Sequence, residues 1–140
     1  MFQTIVLALD GSESSRRATP LAVELARRDN ARLVIAHVAE KVAGKGGGDR
    51  YVDEDEIKQG IRKQGDELKE QGIDASVEMA NVVIGGPAHA IAEIANRAGA
   101  DLIVVGTRGH SAVTGLLLGG VTQRLLHIAD RPVLAVPPAG

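Results

Sequence analysis

Five strand-like segments alternate along the chain with four stretches of helical periodicity, and this alternation limits the possible folds more than any other feature. Segments such as residues 5–9 and 102–105 are continuous apolar runs, typical of strands buried on both faces of a parallel sheet. Alternating strands and helices build such a sheet through right-handed crossovers, with helices on both faces. In chain order, the segments are residues 5–9, 32–38, 75–79, 102–105 and 132–137.

Two of these segments carry the marks of edge strands. Residues 75–79 alternate apolar and polar side chains, which indicates that one face of the strand is wet. Residues 132–137 begin and end with proline, which cannot donate a hydrogen bond to a neighbouring strand. We therefore predict a flavodoxin-like α/β fold with a five-stranded parallel sheet in the order 3-2-1-4-5, within a single domain spanning residues 1–140.

Glycine, proline and charge indicate where the helices begin and end. The acidic run at residues 53–56 suits the positive N-terminus of the second helix, and Gly72 is predicted to end that helix. Pro87 is predicted to be the first residue of the third helix, and Gly99 to end it. Residues 39–52 lack periodicity and contain a glycine-rich loop.

Composition excludes several classes of protein. The 140 residues carry a formal net charge of -2, with one Phe, one Tyr and no Trp, so neither a basic surface nor base-stacking aromatic rings favour nucleic-acid binding. The absence of cysteine excludes disulfides and thiolate metal sites. No apolar run approaches the roughly 18 residues of a membrane span, and the N-terminus lacks a signal peptide's basic segment. We expect a cytoplasmic protein without a membrane or nucleic-acid partner.

A glycine-rich block follows the fourth strand-like segment. It reads Gly106-Thr107-Arg108-Gly109, then nine residues, then Gly119-Gly120-Val121-Thr122 at a helix start. A strand–loop–helix junction of this kind presents backbone N–H groups and a positive helix end to an anion. In the predicted order, Asp10 and Gly106 end neighbouring strands where the strand order reverses, which is where such sheets bind ligands. Each segment alone could be a mere turn, but together they predict a nucleotide site.

Other chemistries find little support. The chain has no P-loop lysine and no G-x-G-x-x-G at its first helix, and Ser111 lacks the second glycine of a nucleophile elbow. The four histidines show no metal-ligand spacing. His37, near a strand end, could line an adenine pocket, or it could equally be a satisfied, partly buried histidine. His110 lies inside the glycine block.

The sequence resembles the universal stress protein family along its whole length, least in residues 39–52. The most specific element is that family's ATP pattern of Gly-x-x-Gly, nine residues and Gly-Ser/Thr, which Gly106, Gly109 and Gly119 match here. The resemblance implies a flavodoxin-like protein of the stress response that binds ATP and often dimerises. The matching segments are residues 5–15, 36–38, 85–87, 100–109 and 131–136.

The same resemblance implies roles for individual residues. For the adenosine of ATP, it implies that Asp10 lies beside it, that Ala8 lines the pocket, and that Val38 offers backbone groups to the adenine. It implies that the ribose and phosphate are surrounded by Gly106 and Gly109, with Thr107, Arg108 and His110 alongside. It implies that the polyphosphate is held by Gly119, Gly120, Val121 and Thr122. Mg²⁺ would be carried with the nucleotide, and no metal site of the protein's own is expected.

The chain departs from the family pattern at Gly120, where the family has Ser or Thr. The backbone N–H survives, but the lost hydroxyl–phosphate bond is worth on the order of 1.5–3 kcal/mol, so AMP or ADP remain alternatives to ATP. The hydroxyl of Thr122 could partly replace it.

From these features we predict a regulatory nucleotide-binding protein rather than an enzyme. We also predict a homodimer through the apolar edge strand Val133–Val136, because such an edge exposes unpaired backbone groups. The alternatives are a slow ATPase or self-phosphorylating protein, and a nucleotide-free dimerisation module.

Overall fold

The predicted sheet is confirmed. A computed structural model describes residues 1–10, 13–39, 54–81, 84–107 and 119–137. Its five parallel strands lie in the order β3-β2-β1-β4-β5. The elements are β1 (Thr4–Ala8), α1 (Glu13–Asp29), β2 (Arg32–Ala39), α2 (Glu54–Glu70), β3 (Ala75–Asn81), α3 (Pro87–Ala98), β4 (Leu102–Gly106), α4 (Gly120–Ile128) and β5 (Val133–Val136).

The sheet separates two apolar layers, because successive side chains of a strand point to opposite faces. One layer lies beneath α1 and α2, and the other lies beneath α3 and α4. The inner strands β1 and β4 supply fully buried aliphatic side chains to both layers, as the continuous apolar runs predict. On these strands, Ile5, Leu7 and Val104 face α1 and α2, whereas Val6 and Ile103 face α3 and α4.

The helix boundaries largely follow the predicted residues. Pro87 is the first residue of α3, and Gly99 ends that helix in the left-handed conformation with a φ of 66°. The second helix ends at Glu70, two residues before the predicted Gly72, which has a φ of 90° in the turn that follows. Ala39, expected at the start of a loop, is the last residue of β2, and residues 40–53 lie outside the described part of the chain.

Both predicted edge strands are edges. β3 runs two residues further than predicted, to Asn81, and its residues Ala75, Val77 and Met79 belong to the apolar layer beneath α1 and α2. All four residues of β5 are partly exposed, because this strand has a neighbour on one side only. None of the helices within the described ranges is both long and apolar enough to cross a bilayer.

Candidate functional site

The reversal of strand order lies between β1 and β4, which run side by side from Ile5↔Leu102 to Leu7↔Val104. Both strands therefore end at the same edge of the sheet. Asp10 follows the end of β1, and Gly106 is the last residue of β4. In sheets of this kind, the place where the strand order reverses is where ligands bind. The two segments singled out in the sequence meet here.

Two small or medium apolar residues form one wall of this edge. Ala8 ends β1 and is paired with Ala36, and Val38 lies two residues further along β2. Ala8 and Val38 are both buried, and both face the α3–α4 side of the sheet. The α3–α4 side of the sheet is therefore apolar at these strand ends, which is the environment that a flat heteroaromatic ring requires.

The glycine loop is closed at its base by backbone hydrogen bonds. The Thr107 N–H donates to the Val136 carbonyl at 2.9 Å, and the Gly119 N–H donates to the Thr107 carbonyl at 2.5 Å. The start and the end of the loop are thus fixed to the sheet. Arg108, Gly109 and His110 lie within residues 108–118, outside the described part of the chain.

The first turn of α4 has no side-chain cap from its own N-cap residue. Its N-cap is Gly119, in an extended conformation with no side-chain hydrogen bond to the helix. The next three residues, Gly120, Val121 and Thr122, carry the N–H groups that a helix leaves without an internal partner. With the helix dipole, these groups favour a bound anion at the end of β4.

Thr122 cannot supply the hydroxyl missing at position 120, contrary to the sequence-based expectation. Its side chain is 3% exposed, and its hydroxyl donates its single hydrogen to the Gly106 carbonyl at 2.6 Å. A phosphate would need that hydrogen for itself. The hydroxyl instead fastens α4 to the last residue of β4, a role that sequence spacing alone does not indicate.

Gly120 itself has room for a side chain. It is helical and exposed, and a Cβ added there meets no described atom within 4 Å. Its φ is not positive, so an L-residue would adopt this conformation without backbone strain. The departure from the family pattern therefore removes a hydroxyl without imposing a glycine-only geometry.

Asp10 lies two residues after the end of β1 and is half-buried. Its backbone N–H points to the Ser15 hydroxyl oxygen at 3.4 Å, near the start of α1. Ser15 is 3% exposed, so this contact joins the end of β1 to the helix that follows.

His37 does not line the apolar wall formed by Ala8 and Val38. It lies on the opposite face of β2, beside Met79 of β3, and is 2% exposed. Its Nδ1 is 2.7 Å from the Leu9 carbonyl oxygen, and its Nε2 is 2.9 Å from a carboxylate oxygen of Glu54. Of the two sequence interpretations, the satisfied buried histidine is the one the structure shows. Its partner Glu54 lies in the acidic run assigned only to the helix dipole.

Within the described ranges, no three His, Asp or Glu side chains are grouped closely enough to hold a metal ion. The described residues near the ends of β1 and β4 supply backbone amides, the N-terminus of α4 and the Asp10 carboxylate. Such a set binds and orients an anionic, hydroxyl-bearing ligand.

Comparisons with known proteins agree with this architecture. A sequence model of the universal stress protein family matches residues 1–137. Universal stress protein YxiE of Bacillus subtilis is 35% identical over 150 residues, covering 97% of this chain and 99% of its own.

Solved structures show the same fold. A universal stress protein in complex with cAMP is 32% identical, with a TM-score of 0.71, and the match covers 99% of this chain and 98% of that one. The hypothetical protein MJ0577 superposes with a TM-score of 0.83 at 23% identity, covering 100% of this chain and 99% of its own. The family model and the full-length relative together show that the chain belongs to the universal stress protein family.

Proposed function

We propose that this protein binds an adenine nucleotide at the carboxyl-terminal ends of β1 and β4, and that it acts through this binding rather than through catalysis. The observation that carries the proposal is the N-terminus of α4, whose N-cap Gly119 makes no side-chain hydrogen bond. This helix follows β4, the neighbour of β1, and Asp10 lies just after the end of β1. The relative solved with cAMP, at 32% identity over nearly the whole chain, supports a ligand of this class.

Each part of an adenine nucleotide has a complementary group at this edge. The amides of the first α4 turn suit phosphate oxygens, and the Asp10 carboxylate suits ribose hydroxyls as an acceptor. The apolar wall of Ala8 and Val38 suits the flat base. We propose ATP as the principal ligand, with Mg²⁺ carried in by the phosphates, since Mg²⁺ commonly binds through nucleotide phosphates and few protein ligands.

The test is to place a negative charge where the phosphates should lie. Gly120→Asp adds a carboxylate at the exposed first position of α4, where a negative charge also favours the helix dipole, so the fold should be at least as stable. We expect calorimetry to show at least a tenfold loss of ATP affinity, about 1.4 kcal/mol. Gly120→Asn has the same shape without the charge and should lose much less.

If Gly120→Asp and Gly120→Asn bind ATP equally well, the phosphates do not lie at α4. Wild-type protein that binds no adenine nucleotide would favour the nucleotide-free dimerisation module. Mass spectrometry of small molecules released from the denatured protein identifies the nucleotide directly.

We propose that the protein turns ATP over negligibly. Phosphoryl transfer needs charge stabilisation and an oriented nucleophile, and the described part of the site supplies amides and the carboxylate of Asp10. Incubation with γ-labelled ATP and Mg²⁺ separates the alternatives. Multiple turnovers per minute would make the protein an ATPase, and label retained on the protein would indicate self-phosphorylation.

We also propose a homodimer formed through β5. Among the described strands none lies along the outer edge of β5, and its side chains are partly exposed on both faces of the sheet. Two such edges can pair about a two-fold axis and cover both sets of side chains.

A further inference from the structure

The hydrogen-bond ladder between β1 and β2 stops one step earlier than the backbone positions allow. The last rung is the Leu9 N–H donating to the Ala36 carbonyl at 2.8 Å. In a parallel ladder the next rung would run from the Val38 N–H back to the Leu9 carbonyl. That bond is absent from the described residues, although β2 continues alongside β3 to Ala39↔Asn81.

The Leu9 carbonyl has another donor in place of the Val38 N–H. The Leu9 carbonyl oxygen lies 2.7 Å from Nδ1 of His37, which must donate because a carbonyl oxygen only accepts. The imidazole thus takes the place of the Val38 amide as the donor to Leu9. Backbone N–H groups along β2 point alternately to β1 and to β3, and the N–H of Val38 points to β1. It lies beside the apolar wall that Val38 forms with Ala8.

Glu54 keeps the imidazole in this orientation. Its carboxylate lies 2.9 Å from Nε2, so both ring nitrogens are fixed, one by a strand end and the other by the start of α2. The ring is 2% exposed and packs beside Met79, which leaves it little freedom to rotate.

We propose that His37 is a positioning residue for base recognition: it withdraws the Leu9 carbonyl from the ladder and thereby keeps the Val38 N–H available to an acceptor nitrogen of the base. This inference rests on the proposed nucleotide site. It assigns recognition of the base edge to a side chain that lies on the other face of the sheet and touches no ligand.

Two variants of His37 distinguish the contact made by Nδ1 from the contact made by Nε2. Asn places its amide nitrogen near the position of Nδ1 and can still donate to Leu9. Gln reaches the position of Nε2 and can still contact Glu54, but it leaves the Leu9 carbonyl free to accept from Val38. Both variants introduce a polar side chain into the same buried position, so each is the other's control for lost packing.

Amide hydrogen exchange of Val38, measured by NMR on nucleotide-free protein, reports whether its N–H is hydrogen-bonded to the Leu9 carbonyl. We expect wild type and His37→Asn to exchange at similar rates, and His37→Gln to exchange about tenfold more slowly because the rung closes. If His37→Gln does not fold, His37→Leu lacks any donor and should give the same slow exchange. Equal Val38 exchange in the wild type and in His37→Gln or His37→Leu would overturn the proposal.

Ligand affinity reads the consequence for the base. The Gln variant should bind AMP about two- to tenfold more weakly, the worth of one hydrogen bond, while ribose 5-phosphate binds as it does to wild type. Equal losses for both ligands, or equal losses in the Asn and Gln variants, would show that His37 only stabilises the fold. Wild-type protein that binds neither ligand would overturn the proposed function, whereas the exchange rates still decide whether His37 controls the ladder.

Discussion

The hydrogen bond from Thr122 of α4 to Gly106 of β4 leads to a prediction about stability whose magnitude follows from the structure. Thr122→Val keeps the shape of a 3%-exposed side chain but removes the hydrogen donated to the Gly106 carbonyl at 2.6 Å. A buried acceptor left without its donor costs about 1–3 kcal/mol. For a domain of this length that corresponds to a fall in Tm of about 3–10 °C.

The matched variant is Thr122→Ser, which keeps the hydroxyl and loses one methyl group, worth about 0.8 kcal/mol. Thermal unfolding followed by circular dichroism should therefore rank the proteins wild type, then Ser, then Val. If packing alone mattered, the Val variant would be the more stable of the two. A Val variant at least as stable as the Ser variant would therefore refute the role assigned to this hydroxyl.

Three further predictions concern the site, the sheet edge and the chain's acid stability. Gly120→Ser should tighten ATP binding in calorimetric titrations, since the residue is helical and a Cβ meets no described atom; unchanged affinity would show that no phosphate approaches it. Val136→Asp on β5 should convert a dimer to a monomer by light scattering, because it buries a charge at the proposed interface. Hydrogen bonds from the N–H groups of Gln3 and then Thr4 lower the pKa of Asp101. The charged carboxylate therefore stabilises the fold at a pH above the ordinary pKa of about 3.9, and this stabilisation is lost as the pH falls through the lowered pKa. The Tm of wild type should accordingly exceed that of Asp101→Asn by its largest amount at neutral pH, and the difference should disappear at acid pH. A Tm difference that does not change with pH would contradict this role of Asp101.

Patterns of local origin predict the framework well. Continuous apolar runs fix which strands are central, and proline brackets fix β5 as an edge, because both signals come from residues within the element itself. Pro87 and Gly99 bound α3 for the same reason: each acts through its own backbone geometry. Such features need no knowledge of the tertiary neighbours.

The details of the site depend on partners that are distant in sequence. The hydroxyl of Thr122 looks available for phosphate until folding places the Gly106 carbonyl, 16 residues away, beside it. His37 meets Glu54, 17 residues on, only because α2 begins above the end of β2. A sequence pattern gives the type of each group but not which neighbour uses its hydrogen.

The early end of the β1–β2 ladder also bears on how the protein avoids unwanted pairing. β2 passes the last residue of β1 and so creates a third edge, enclosed within the sheet between two strands. Only about one residue of backbone is open there, too short for a foreign strand to pair with. Within the described sheet, a foreign strand could therefore add only at the outer edges formed by β3 and β5.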